Sequence, residues 1–137
     1  MTDAEPSSLV TFEFSEDVTG FDAGDLSTVG GSMSDFAIVD ANTYTALFTA
    51  SDDVALTGSI TVNGGYEDLN GNVGASGFDN VVIDRVNPTV VSVVRANADY
   101  TNAASVDFTV TFSENVTGVD VDGSDFSLVA SVAGASI

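Results

Sequence analysis

The chain predicts an all-β fold, an antiparallel sandwich repeat followed by a partial second repeat. Three observations predict it. Short runs alternate apolar and polar residues with period two, Gly, Asn, Asp and Ser clusters separate the runs, and a nine-residue motif occurs twice at a domain-sized distance. No stretch sustains helical spacing.

Val10, Phe12 and Phe14 alternate with Thr11 and Glu13, and alternate residues of a strand share a face. Further strands are expected near 36–39 from Phe36 and Ile38, 43–49 from Tyr44, Ala46 and Phe48, 59–63 from Ile60 and Val62, and 79–84 from Val81 and Ile83. Around Asp84-Arg85-Val86-Asn87-Pro88 one strand ends and another begins. Pro88 removes a backbone donor and restricts Asn87, which suits a short stiff joint. The expected domains are therefore 1–86 and 87–137. Beyond the joint, Val91 and Val93 predict a strand over 89–95, and Val106, Phe108, Val110 and Phe112 alternate with Asp107, Thr109 and Thr111 in the next. Phe12, Phe14, Tyr44 and Phe48 fall on inward parity and read as core, while Tyr66 and Tyr100 fall in loops and are weak candidates for stacking on a sugar.

The motif Phe14-Ser15-Glu16-Asp17-Val18-Thr19-Gly20-Phe21-Asp22 returns as Phe112-Ser113-Glu114-Asn115-Val116-Thr117-Gly118-Val119-Asp120, an offset of 112 − 14 = 98 with seven of nine positions identical. Asp25-Leu26-Ser27 then answers Asp125-Phe126-Ser127 after a two-residue insertion. An internal repeat of this period means an array of domains. On the plan of the second copy a strand at 89–95 precedes the Phe108 strand. The first copy has only residues 1 to 8 ahead of its equivalent, so its first strand is expected to be missing, and the second copy, stopping at Ile137, is expected to be truncated.

Twenty-one Asp and Glu face only Arg85 and Arg95, a formal net charge of −19. Such a surface repels phosphate backbones and anionic lipid, so neither nucleic acid nor direct membrane insertion is expected. It also repels itself unless cations condense on it. With no Cys and no His, disulfides, thiolate zinc and imidazole ligands are impossible, and hard, oxygen-seeking cations remain. MTDAEPSS lacks a basic n-region and an apolar core, so no export signal is expected within it.

The run FSEDVTGFDAGDL, the later YTALFT, the turn YEDLNGNVG and the D-x-x-x-P of DRVNPTV resemble the Ig-like tandem repeats of large bacterial surface adhesins and biofilm-associated proteins of the RTX-adhesin type. The resemblance covers nearly the whole chain. It implies an Ig-like sandwich in an extracellular stalk on the cell surface, with neighbouring repeats of the same protein as partners and calcium often held where repeats meet.

In such a sandwich the 15–25 and 64–77 loops lie at one end, so Glu16, Asp17, Glu67 and Asp68 are expected to converge. The 50–57 loop, with Asp52 and Asp53, lies at the other end with the exit at Asp84, where the next copy brings its Glu114 loop. Calcium takes 6–8 oxygen ligands in flexible geometry. The expected joint site is therefore Asp84, Asn87, Asp52, Asp53 and Glu114, with Ca2+ as its ion. Each acid also has a plainer use: Asp68-Leu69-Asn70-Gly71-Asn72 suits a tight turn without metal, and loop acids keep a protein soluble. Asp35, Asp40, Asp99 and Asp107 read as solvated surface.

Catalysis is excluded as a working class, because a chain without His, Cys or Lys offers no common base or nucleophile, and some pair among 21 acids always falls at a glycosidase spacing. A carbohydrate- or protein-binding module and an acidic surface-layer or spacer domain without discrete metal sites are the alternatives to a calcium-stiffened stalk. Self-association by strand exchange is also open, the strand at 89–95 filling the vacancy in the first copy of a neighbouring molecule.

Overall fold

The computed structural model describes residues 1–97, 104–120 and 125–127. Asp99 and Tyr100 lie outside the described residues. The chain divides into two compact units, Met1–Asn87 and Pro88–Ile137.

Unit one contains β1 (Ser7–Glu13), β2 (Val18–Thr19), β3 (Leu26–Val29), β4 (Gly31–Ile38), β5 (Thr43–Ala50), β6 (Ala55–Val62), β7 (Glu67–Asp68) and β8 (Gly77–Asp84). Two antiparallel three-stranded sheets, ordered β1-β5-β4 and β3-β6-β8, form the sandwich, and β2 and β7 make a short separate ladder. The alternation in Tyr44-Thr45-Ala46-Leu47-Phe48-Thr49-Ala50 makes β5 the centre of its sheet: every second residue, Tyr44, Ala46, Phe48 and Ala50, is buried. Phe48 and Ala50 pack with Ile83 of β8, and Val10, Met33 and Ile60 close around them, so the core lies between the two sheets.

Toward the β2–β7 end the core is aromatic. Phe21 sits 4.9–5.9 Å from the rings of Phe12, Phe14, Phe36, Tyr44 and Tyr66, all at steep interplanar angles. Edge-to-face pairs of this kind add about 0.5–1.5 kcal/mol each beyond the area they bury. Tyr66 lies in the irregular segment between β6 and β7, as expected, but it is core and not a stacking platform: it is 8% exposed, and its hydroxyl donates to Ala75 O at 2.6 Å. The ring fits because Gly74 has no Cβ, which would overlap it.

The two sheet edges of the β1 sheet differ. On β4 the register shifts between Ser34 and Ala37, with Asp35 at a positive φ of 51°, a bulge that spoils the edge for pairing. β1 runs in unbroken register from Ser7↔Thr49 to Glu13↔Thr43, and none of the described strands pairs with its other side. Residues ahead of β1 reach the second sheet instead: the Met1 amino group donates to Val82 O, and Asp84 N donates to Met1 O at 2.9 Å.

Unit two contains β9 (Val90–Arg95) and β10 (Phe108–Phe112), paired antiparallel with Val110 opposite Val93. The ladder is extended by Ala96 N donating to Asp107 O and by Ser113 N donating to Thr89 O.

Candidate functional site

At the pole where β5 and β8 end and β6 begins, Asp84 pairs with Ala55, and Arg85 N donates to Val54 O, which ties the 50–57 loop to the exit of the unit. The Arg85 guanidinium then gathers the local oxygens. Its Nη1 donates to Ala50 O at 2.7 Å, its Nε reaches Asp3 Oδ1 at 3.0 Å, and its Nη2 reaches Asp52 Oδ1 at 3.2 Å. Asp52 is the anion of an ion pair here. With its side chain 78% exposed, that pair contributes no more than about 1 kcal/mol. Asp53 holds the turn at φ 55°, and it, Asp84 and Asn87 are exposed. Glu114 follows β10 in unit two and is exposed there. Among the described residues, no three or more Asp or Glu side chains stand close enough together to hold a metal ion.

At the opposite pole the two acidic loops do meet. Val18 pairs with Asp68 and Thr19 with Glu67, and Glu16, Asp68 and Asn72 line a shallow depression of about 270 Å³ floored by Tyr66. Asp17 and Glu67 are exposed beside it. The Asp68 carboxylate is already occupied: Oδ1 accepts from Asn70 N and Asn72 N, both at 2.8 Å, and Oδ2 accepts from Asn72 Nδ2 at 2.6 Å. These bonds, the Asn72 side chain first, hold its pKa below the ordinary 3.8. Gly71 N donates to Asp68 O, so the backbone donors of Asn70, Gly71 and Asn72 are all satisfied by Asp68.

Two of the acids that recur between the copies, Asp22 and Asp25, serve the backbone. Asp22 caps a single 3-10 turn over Ala23–Asp25: its Oδ1 accepts from Gly24 N at 2.6 Å, while its own N–H donates to Asp25 Oδ2 at 2.9 Å. In unit two Asp120 N donates to Asp125 Oδ2 at 2.7 Å, the same bond across the two-residue insertion. Gly20 and Gly118 recur for a related reason, with φ of 78° and 77° and no clash where a Cβ would stand, so the conformation itself selects glycine. The Asp3–Arg85–Asp52 cluster was not legible in the sequence, since its members are separated by tens of residues and follow no spacing rule. The recurrence of Asp22 and Asp25 was a usable signal for the cap.

No helix among the described residues is long and apolar enough to cross a membrane. Comparison with curated proteins and with solved structures gave no match. Residues 1–83 match the family described as the bacterial Ig-like domain, and the two-sheet antiparallel sandwich agrees with that match. By a match over more than half its length, the chain belongs to the bacterial Ig-like domain family.

Proposed function

We propose that this chain is a stalk segment of an extracellular bacterial surface adhesin, a non-catalytic spacer in which Ig-like units follow one another and calcium stiffens the joint between them. The observation that carries this reading is the tandem repeat with its short connection. A sandwich ends at Asp84, and the unit that carries the second copy of the motif begins its first strand at Val90, with Pro88 in the five residues between. Units joined so tightly extend a chain without needing a pocket or a catalytic group.

The calcium part rests on charge and ligand type. Asp53, Asp84 and Asn87 offer exposed oxygens next to the joint, Asp52 keeps one carboxylate oxygen outside its Arg85 bond, and Glu114 begins the corresponding loop of the next unit. Extracellular modules bind calcium at roughly 10⁻⁴–10⁻³ M, a range in which the joint would load only after export. A second reading, an acidic spacer without a discrete metal, is favoured by one observation: Arg85 already neutralises Asp52 and Asp3 at that pole.

Thermal melts separate the two. On the calcium reading, about 1 mM Ca²⁺ raises the Tm where sodium at equal ionic strength does not, chelator reverses the gain, and Asp84→Asn removes it. Equal effects of Ca²⁺ and matched sodium leave the spacer reading.

A further inference from the structure

We infer that the hairpin tip at Asn70-Gly71 is a self-modification site, where the main-chain nitrogen of Gly71 displaces the side-chain amide of Asn70 and leaves a carboxylate at position 70. In that step a bond forms between Gly71 N and Asn70 Cγ, and the Cγ–Nδ2 bond breaks. The proton of Gly71 N passes through water to Nδ2, which departs as ammonia. Water then opens the resulting succinimide at either carbonyl, giving aspartate, or isoaspartate with one more carbon in the main chain. Only water is consumed, so none of the His, Cys or Lys groups that the chain lacks is needed.

The residue after an asparagine controls access to this reaction. Asn42, Asn72, Asn80 and Asn115 precede Thr or Val, whose branched Cβ screens the attacking nitrogen, and Asn87 precedes Pro, which has no N–H. Asn63 and Asn70 alone precede Gly. The fold then separates these two. Asn63 N donates to Asp25 O at 2.7 Å and its Nδ2 donates to Ser27 Oγ at 3.3 Å. Its neighbour Gly64 is packed so closely that a Cβ would stand 3.2 Å from Gly74 O. Asn70 is exposed, Gly71 has a φ of 83°, and a Cβ on Gly71 would meet nothing within 4 Å. The tip can therefore turn Gly71 N toward Cγ without displacing a neighbour.

Asp68 holds the tip back. Its Oδ1 accepts from Asn70 N and Asn72 N, both at 2.8 Å, and its main-chain O accepts from Gly71 N at 3.1 Å, a bond the attacking nitrogen must first leave. The Asn70 side chain also bonds Asp68, the weakest of the contacts that lower the pKa of that carboxylate. Once residue 70 is itself a carboxylate, it stands beside Asp68 and repels it. Isoaspartate in addition lengthens the turn that Asp68 N closes by donating to Asn72 O at 3.0 Å, which loosens the Val18↔Asp68 pair of the β2–β7 ladder. Modification thus weakens one pole of unit one and spares the core around Phe48 and Ile83.

The experiment is run in chelator, which makes it independent of the calcium reading. The full chain is incubated in mildly alkaline buffer, folded and in urea, and then cut after Glu67, which separates Asn63 from Asn70. Mass mapping and enzymatic methylation of isoaspartate read each site, and urea supplies the rate of each without the fold. Folding should slow Asn63 severalfold more than Asn70. Asp68→Ala should raise the folded rate at Asn70 severalfold without changing Asn63, and Asn70→Gln should abolish the loss of ammonia from the turn. In the modified chain, separated by its added negative charge, amide exchange should rise at Asp68 and Asn72 while that of β5 is unchanged. Asn70 as well protected by folding as Asn63, or an Asn70 rate indifferent to Asp68→Ala, overturns the inference.

Discussion

The same nine-residue motif sits in two different surroundings, and the contrast separates what it does alone from what it does with help. In unit one Val18 is 8% exposed and Phe21 5%; in unit two Val116 is half-buried and Val119, the counterpart of Phe21, is 40% exposed. Yet the glycine keeps its positive φ, and the Asp–Asp backbone bond forms in both. The motif's turn is therefore a local device, written in Gly and Asp. Its burial is a tertiary one, supplied in unit one by Phe12 of β1, Tyr44 and Ala46 of β5, Ile60 and Val62 of β6, and Tyr66.

Substitutions can break this contrast, and the largest effect is expected in the core of unit one. Phe48→Ala should destabilise unit one by about 3–5 kcal/mol, read as a loss of denaturant midpoint, because the ring is 1% exposed between both sheets. Phe112→Ala should leave the unit-one transition unchanged. Next, Gly74→Ala forces a methyl group into the Tyr66 ring and should cost about 1–3 kcal/mol, with loss of the Tyr66 near-ultraviolet signal.

Smaller effects test the local device. Gly20→Ala should cost about 1–2 kcal/mol from its positive φ alone, and Gly118→Ala should carry the same local strain without moving the main melt. Asp25→Ala should cost about 0.5–2 kcal/mol by removing the acceptor for Asp22 N–H.

The smallest effect is one of pH. Asp68 has its pKa depressed by the Asn72 and Asn70 bonds, so its contribution is present above the unfolded carboxylate value and is lost as pH falls through the depressed value. Asp68→Asn should thus remove that share of the acid destabilisation while leaving the rest of the acid limb in place.

Much of the sandwich was legible because its strands carry period-two alternation. β5 is the clearest case, each apolar residue of Tyr44, Ala46 and Phe48 being buried as parity requires. β3 was not foreseen, since Leu26-Ser27-Thr28-Val29 is too short to establish a period, and β2 and β7 are two residues each. Phe21 and Tyr66 were missed as core because loops have no parity to read, although an apolar residue at Phe21 and again at Val119 was a signal. The carboxylate geometry was the least legible part. Convergence of the 15–25 and 64–77 loops follows from connectivity and is seen in the Val18↔Asp68 pair. Which oxygen satisfies which donor depends on long-range partners such as Arg85, and a sequence does not display them.

The central claim is mechanical, that calcium turns the connection before Pro88 from a hinge into a strut. Spin labels at exposed Thr57 in unit one and exposed Thr109 in unit two, read by pulsed dipolar spectroscopy, report it directly. The account predicts a broad distance distribution in chelator that narrows at about 1 mM Ca²⁺ and does not narrow with matched sodium. Distributions of equal width in calcium and in chelator would contradict it.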